Sequence, residues 1–390
     1  MKIFKKEPDF KFMNKRYLAF MLSGLVILAG IYTYFSKGFN LGIDFSGGTM
    51  IEVSFKNNMD ENVLRDKLNK VGLGKSIIQR VGEGQNKFFI KSIKDVEKFK
   101  TEIKSDENIS QHEKVAVVIK EALMTKEQLT EYKAGKLDLN NSSEKKITDL
   151  LTSNGILSDD AIDAAKKIIS LRKNETGLIN DFKQIEELGL KKRILKVLKE
   201  KTFLGDFTFL SVEIVGPQVG ADLRKKATLA TVWAMIGMLV YIAFRFRFIY
   251  GIAAVITLLH DVLISLSFIL FFNIEVSLTV VAALLTIVGY SLNDTIVIFD
   301  RVRDNLKLMR KDNAENILDK SINQTLSRTI VTSGTTLLTV LALFFLGGEV
   351  IHTFAFTLLV GIVVGTYSSI YQSCAWLKIW ERFFLKRKKI

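Results

Sequence analysis

Staples and breakers are scarce in this chain. Cys374 is the only cysteine in 390 residues, so neither a disulfide framework nor a cysteine metal cage can form within one chain. There are two prolines, Pro8 and Pro217, which leaves long stretches free to run as unbroken helix. No HExxH motif and no GxGD-type aspartate pair occurs, which argues against an intramembrane protease. FSGGT, at residues 45 to 49, is followed by no GKS or GKT and opens no helix, so nucleotide binding is rejected.

What the chain has is apolar residues, 48% of the total, gathered in blocks. A helix needs about 20 residues to cross a hydrocarbon core of roughly 30 Å. Runs of that length at about 17–35, 227–244, 249–272, 276–299, 330–347 and 354–377 predict six transmembrane helices. The first run is too long for the apolar part of a secretory signal and lacks a small-residue cleavage site, so it reads as a retained anchor.

The formal charge of +14 could suggest nucleic acid, and its distribution argues for membrane topology instead. Of 55 lysines and arginines, 21 lie outside residues 36–226, and all of them fall in segments on one side of the predicted membrane. The two opposite hairpins carry only Glu275 and Glu349. The positive-inside rule then puts both termini in the cytoplasm and 36–226 outside.

That long segment begins with FNLGIDFSGGTMIEVSF, in which Gly42, Gly47 and Gly48 bracket a turn before a strand with Ile51, Val53 and Phe55 on one face. Asp60 caps a helix that ends at Gly72, two strands follow around a Gly-Glu-Gly turn, and FTFLSVEIVG returns late as another strand. The order is that of an α+β ferredoxin-like domain. A Lys/Glu-rich helical insertion interrupts it at about 95–202, with stripes at Ile162, Ala165 and Ile169 and at Ile194, Val197 and Leu198. Residues 133–146 are polar and turn-rich, the best linker candidate. GLINDFKQIEELGLKKRILKVLKE is similar to a helix-hairpin-helix module, whose basic members bind DNA, but a charged helical surface outside the cell is the preferred reading.

A carboxyl group within an apolar span is costly and points to function. Asp294 shares a helical face with Thr286, Tyr290 and Asn293, while Arg328, Thr332, Thr335 and Thr339 form a stripe in the fifth span. Thr257, Asp261 and Ser265 form a third, and together the stripes could enclose a hydrated path. Moving Arg328 toward or away from Asp294 would change whether that carboxyl holds a proton. Simpler roles stand beside these: Asp294 as a packing hydrogen bond, Arg328 as a cytoplasmic anchor, Asp261 as a structural group. Asp300 reads as interfacial, Gly361 and Gly365 as a close-packing pair, and 301–328 as a cytoplasmic connector or interfacial helix. Charge counting places Asp294 in the cytoplasmic half of its helix.

Five motifs in order carry a family resemblance: GIDFSGGT, VGPQVGADLRKKA, HDVLISL, GYSLNDTIVIFDRVRDN and LSRTIVTSGTTLL. They resemble the SecF family of the bacterial SecDF translocation motor, within the resistance-nodulation-division transporter group. The resemblance implies half of a twelve-helix unit completed by SecD. It implies assistance to the SecYEG channel downstream of the SecA ATPase, with the proton gradient pulling or releasing preproteins, and YajC and YidC as further candidate partners. The family's LND aspartate and SRT arginine, implicated in proton transport, fall on Asp294 and Arg328. No cofactor, metal or nucleic acid is implied. The region 95–202 is longer than the family leads one to expect. A small-molecule or lipid exporter half-unit and a passive translocon scaffold are the alternatives.

Overall fold

A computed structural model describes residues 7–81, 86–92, 111–174, 177–245, 248–309 and 311–385. The expected Gly-Glu-Gly turn and the expected insertion before residue 111 lie outside the described residues. The chain divides into a helical unit, Met1–Phe45 with Asp222–Ile390, and an α+β unit, Ser46–Ala221.

Each of the six expected spans falls in a helix long and apolar enough to cross a membrane. In chain order these membrane helices are Met13–Lys37, Pro217–Phe244, Phe248–Phe271, Leu278–Leu308, Ala314–Leu346 and Ile351–Ile379. The apolar window of the third is 61% buried and that of the second 6%, so the third, fourth and sixth make the centre while the second keeps its apolar surface outward. The core joins Ala253, Ala254 and Leu258 of the third to Val288, Leu292 and Phe299 of the fourth and Ile322 and Leu326 of the fifth. Gly361 and Gly365 act as the expected packing pair: a Cβ at Gly361 would overlap Ile287, and one at Gly365 would lie 3.1 Å from Ser291 Cβ.

The expected connector at 301–328 is not a separate element. The fourth helix runs 31 residues to Leu308 and the fifth 33 residues from Ala314, so the charged stretch is two helix ends and the turn between them. At 1.5 Å per residue a helix of that length is about 50 Å long, well beyond a core of about 30 Å. The extensions hold together through buried Val302, Leu318 and Ile322 and a polar ladder. In it Asn305 Nδ2 donates to Ser321 Oγ at 2.9 Å and Arg301 Nε to Gln324 Oε1 at 2.6 Å. Their charged faces point outward, which is why they read as a connector.

In the α+β unit, strands β1 (Gly48–Phe55), β2 (Ile77–Arg80), β3 (Lys87–Ser92), β4 (Leu137–Asp138), β5 (Thr202–Phe203) and β6 (Phe207–Val215) follow in sequence. The main sheet has the order β2-β3-β1-β6, every pairing antiparallel, with helix Glu61–Lys70 between β1 and β2. This is the ferredoxin-like arrangement. Ile51, Val53 and Phe55 are buried together against Leu64, Leu68 and Phe88, as the alternation requires. Asp60 caps its helix by accepting from Asn62 N at 2.7 Å, and Gly72 follows the helix with φ +77°.

Helix Gln111–Leu123 buries Val115, Ile119 and Leu123 in this same core, so it belongs to the sandwich and the insertion proper starts after it. The insertion has its own core of Leu139, Ile147, Leu151, Ala161, Ala165, Ile168, Ile185, Ile194 and Leu198. The stripe on helix Ser158–Asn174 is rotated from the expected one: Ile162 is 38% exposed, while Ala161 and Ile168 are buried. Helix pairs Glu144–Ser153 with Ser158–Asn174, and Phe182–Glu186 with Lys192–Lys201, are joined by turns containing Gly155 and Gly189, both at positive φ.

Residues 133–146 are no linker. Asn140 is fully buried; its Nδ2 donates to Ile179 O at 3.1 Å and Gly205 O at 2.8 Å, and its Oδ1 accepts from Ile179 N at 2.9 Å. Arg172 donates to three carbonyls of the same loop, those of Leu139, Asn140 and Ser142. Short polar side chains that mark a solvated turn in sequence serve here to satisfy buried backbone groups.

Candidate functional site in the membrane helices

The LND and SRT segments meet where the fourth and fifth membrane helices pack. Asp294 is 3% exposed and stands near the middle of its 31-residue helix. Ser333 Oγ donates to Asp294 Oδ2 at 3.3 Å, and Thr366 Oγ1 of the sixth helix donates to Ser333 Oγ at 2.8 Å. Thr332 and the Arg328 charge also act on this carboxyl, yet no ion pair within 4 Å joins Asp294 to Arg328. Arg328 is exposed and is the fifteenth residue of the helix that starts at Ala314, where the charged extension gives way to the apolar run.

The other members of the expected stripe divide. Tyr290 keeps its hydroxyl buried with no protein partner, as does Thr329 one turn before Ser333. Thr286 and Asn293 face out of the helical unit. A one-residue step on a helix turns 100°, and here that step carries Asn293 to the exposed side while Asp294 and Thr295 face inward.

Asp261 stands apart in a cluster of its own. Its Oδ1 faces His260 Nδ1 at 2.8 Å, and its Oδ2 accepts from Ser291 Oγ at 2.5 Å and Ser368 Oγ at 2.9 Å. Thr257 and Ser265 each donate to their own helix backbone instead. The three expected stripes therefore resolve into two carboxylate clusters, each completed by hydroxyls from the sixth helix. Thr366, Ser368 and Gln372 were missed in sequence, although the polar run TYSSIYQS in an apolar helix was the available signal.

One further contact positions Asp294. Ser277 makes no side-chain cap at the start of the fourth helix; Asp44 Oδ2 accepts from Leu278 N at 2.9 Å instead. Gly42 N donates to Val276 O and Val276 N to Asn40 O, both at 2.8 Å, pinning the exit of the first helix to the entry of the fourth.

Compared with characterised proteins, the chain is 38% identical over 384 residues to the protein translocase subunit SecF of Koribacter versatilis, covering 95% of this chain and 91% of that one. The chain belongs to the SecF family. The SecF of Escherichia coli O157:H7 is 32% identical over 366 residues, covering 94% and 86%. Residues 194–382 match the family described as protein export membrane protein SecD/SecF, C-terminal, and 35–59 match the SecD/SecF GG motif. Among solved structures, SecDF from Thermus thermophilus, a translocon-associated membrane protein, superposes with a TM-score of 0.66 at 29% identity. It spans 97% of this chain, which corresponds to 40% of that longer one.

For this SecF, a role in Sec protein export and association with SecD follow, as does a multi-pass membrane location. The GG motif has two structural tasks. Its Asp44 caps the helix of Asp294, and its Gly47, at φ +70°, lies so close to Pro217 that a Cβ would sit 2.8 Å from Pro217 Cα.

Proposed function

We propose that this SecF acts with SecD as a proton-driven, non-enzymatic accessory of preprotein movement through the SecYEG channel, with Asp294 as the residue that takes and releases the proton. The observation that carries this is Asp294 itself: a carboxyl buried between apolar helices, held by one hydroxyl at 3.3 Å and left without an ion-pair partner. A permanently paired carboxylate would be a fixed strut. One that lacks a fixed counter-ion, with an arginine close enough to be felt and free to approach, can exchange a proton as helices move.

Arg328 supplies the returning charge, Thr332 and Ser333 hold the carboxyl, and Tyr290 supplies an uncommitted hydroxyl on the same face. A charge crossing 100 mV releases about 2.3 kcal/mol, enough for a few protons to drive a domain motion. The outward apolar faces of the first and second helices suit the SecD half and lipid. Both termini lie in the cytoplasm and the α+β unit outside, where it meets preproteins; YajC and YidC are candidate neighbours.

The test is Asp294→Asn in the reconstituted complex with SecD and SecYEG. Proton-gradient-dependent export is expected to fall at least tenfold while the complex still assembles. Unchanged gradient dependence in an assembled complex would leave a passive scaffold as the surviving reading.

A further inference from the structure

The Asp261 cluster extends well beyond its carboxyl, and its hydrogens can be assigned one by one. Tyr367 OH donates to Ala19 O at 3.0 Å, so the 3.4 Å contact between Ser23 Oγ and Tyr367 OH has Ser23 as donor. Ser23 Oγ in turn accepts from Gln372 Nε2 at 2.6 Å. The second hydrogen of that amide points to His260 Nε2 at 2.9 Å, which must be an acceptor. His260 is then neutral with its hydrogen on Nδ1, donated to Asp261. His260, Asp261, Ser23 and Gln372 are all less than 9% exposed.

With the amide in this orientation, a hydrogen on His260 Nδ1 and none on Nε2 completes every bond. A proton added at His260 Nε2 would face the Gln372 amide hydrogens, a donor against a donor. The amide must rotate to present Oε1, Ser23 must turn its hydrogen toward that oxygen, and the link from Ser23 to Tyr367 is lost. A proton added at Asp261 instead deprives His260, Ser291 or Ser368 of its acceptor. The first event reaches the first membrane helix, whose buried residues between Arg16 and Lys37 are Ala19, Ser23 and Gly30. Two of those three are the ones this network touches.

We infer that His260 and Asp261 form a second proton-binding site, separate from Asp294, in which the Gln372 amide converts proton occupancy into docking or release of the first membrane helix. This rests on the proton-coupled reading above, and it adds a site, a coupling residue and a moving part to it. The titratable groups that face His260 are Asp261 on its own helix and Tyr367 on the sixth, with ring centres 6.5 Å apart; the first and fourth helices face the pair with Ser23 and Ser291. Histidine is the side chain whose ordinary titration spans physiological pH.

Trp376 supplies the reporter, since its ring meets Phe20 of the first helix edge-on at 4.9 Å. With Trp233 and Trp380 replaced by Phe, the full chain in complex with SecD in nanodiscs is titrated from about pH 8 to 5 while Trp376 emission is followed. A reversible shift of the emission is expected in the parent. It should be lost in both His260→Gln and Gln372→Met, and retained in Asp294→Asn. The inference is overturned if the parent shows no shift, if the shift survives in both variants, or if Asp294→Asn abolishes it, the last assigning the effect to the other carboxylate. Failure of gradient-driven export in Asp294→Asn, with the Trp376 shift intact, separates the two sites.

Discussion

Replacing Asn140 by Ala tests whether the loop at 133–146 is the keystone of the α+β unit. The side chain is fully buried and serves three backbone groups, Ile179 N–H, Ile179 C=O and Gly205 C=O. Leaving a buried polar group without its partner costs about 1–3 kcal/mol. Three such groups give roughly 3–6 kcal/mol after partial relaxation, a large part of the ~5–15 kcal/mol that stabilises a typical domain. The assay is pulse proteolysis of the intact protein in detergent across a urea series, following cleavage within 126–204. Asn154→Ala is the control: its amide reaches Leu150 O and Ser153 Oγ from a part-buried position, and about 1 kcal/mol or less is expected. Equal midpoints for Asn140→Ala and the parent would refute the reasoning and return the loop to the status of a linker.

Asp44→Ala is expected to fray the start of the fourth helix, costing about 0.5–2 kcal/mol, with faster amide exchange at residues 278–281 and recovery in Asp44→Asn. Unchanged exchange there would show the cap to be idle. Lys120 lies 3.7 Å from buried Asp138; burial lowers its pKa from the ordinary 10.5, and Asp138 opposes part of that shift. The folded value being the lower one, its contribution is present above pH 10.5 and is lost as pH falls through the folded value. Stability of the α+β unit should therefore rise over the alkaline range approaching 10.5, and Lys120→Met should flatten that rise when the two are compared by thermal melts.

The membrane spans were legible because an apolar run of that length has few other fates, and the ferredoxin-like order because Ile51, Val53 and Phe55 alternate against a helix with a plain cap. The ends of the fourth and fifth helices were not. Charge on one side of a protruding helix imitates a connector, and only the buried Val302, Asn305 and Ile322 reveal continuity. The stripe of Ile162 was misplaced because alanines at 161, 164 and 165 bury as well as isoleucine does. Asp294 and Arg328 stood out as costly residues, yet their separation is a matter of side-chain direction that spacing cannot supply. The Asp261 cluster was only half visible, since Ser23 and Gln372 lie far off in sequence and are ordinary residues singly.

Asp44 gives the chain a mechanical connection. It grips the first turn of the helix whose Asp294 lies sixteen residues on, about 24 Å along the axis. Four residues after Asp44 the chain enters β1 at Gly48. The cap of the fourth helix and the first strand of the sheet are thus held by one short segment, and four peptide bonds are all that separate the Asp44 carboxylate from Gly48.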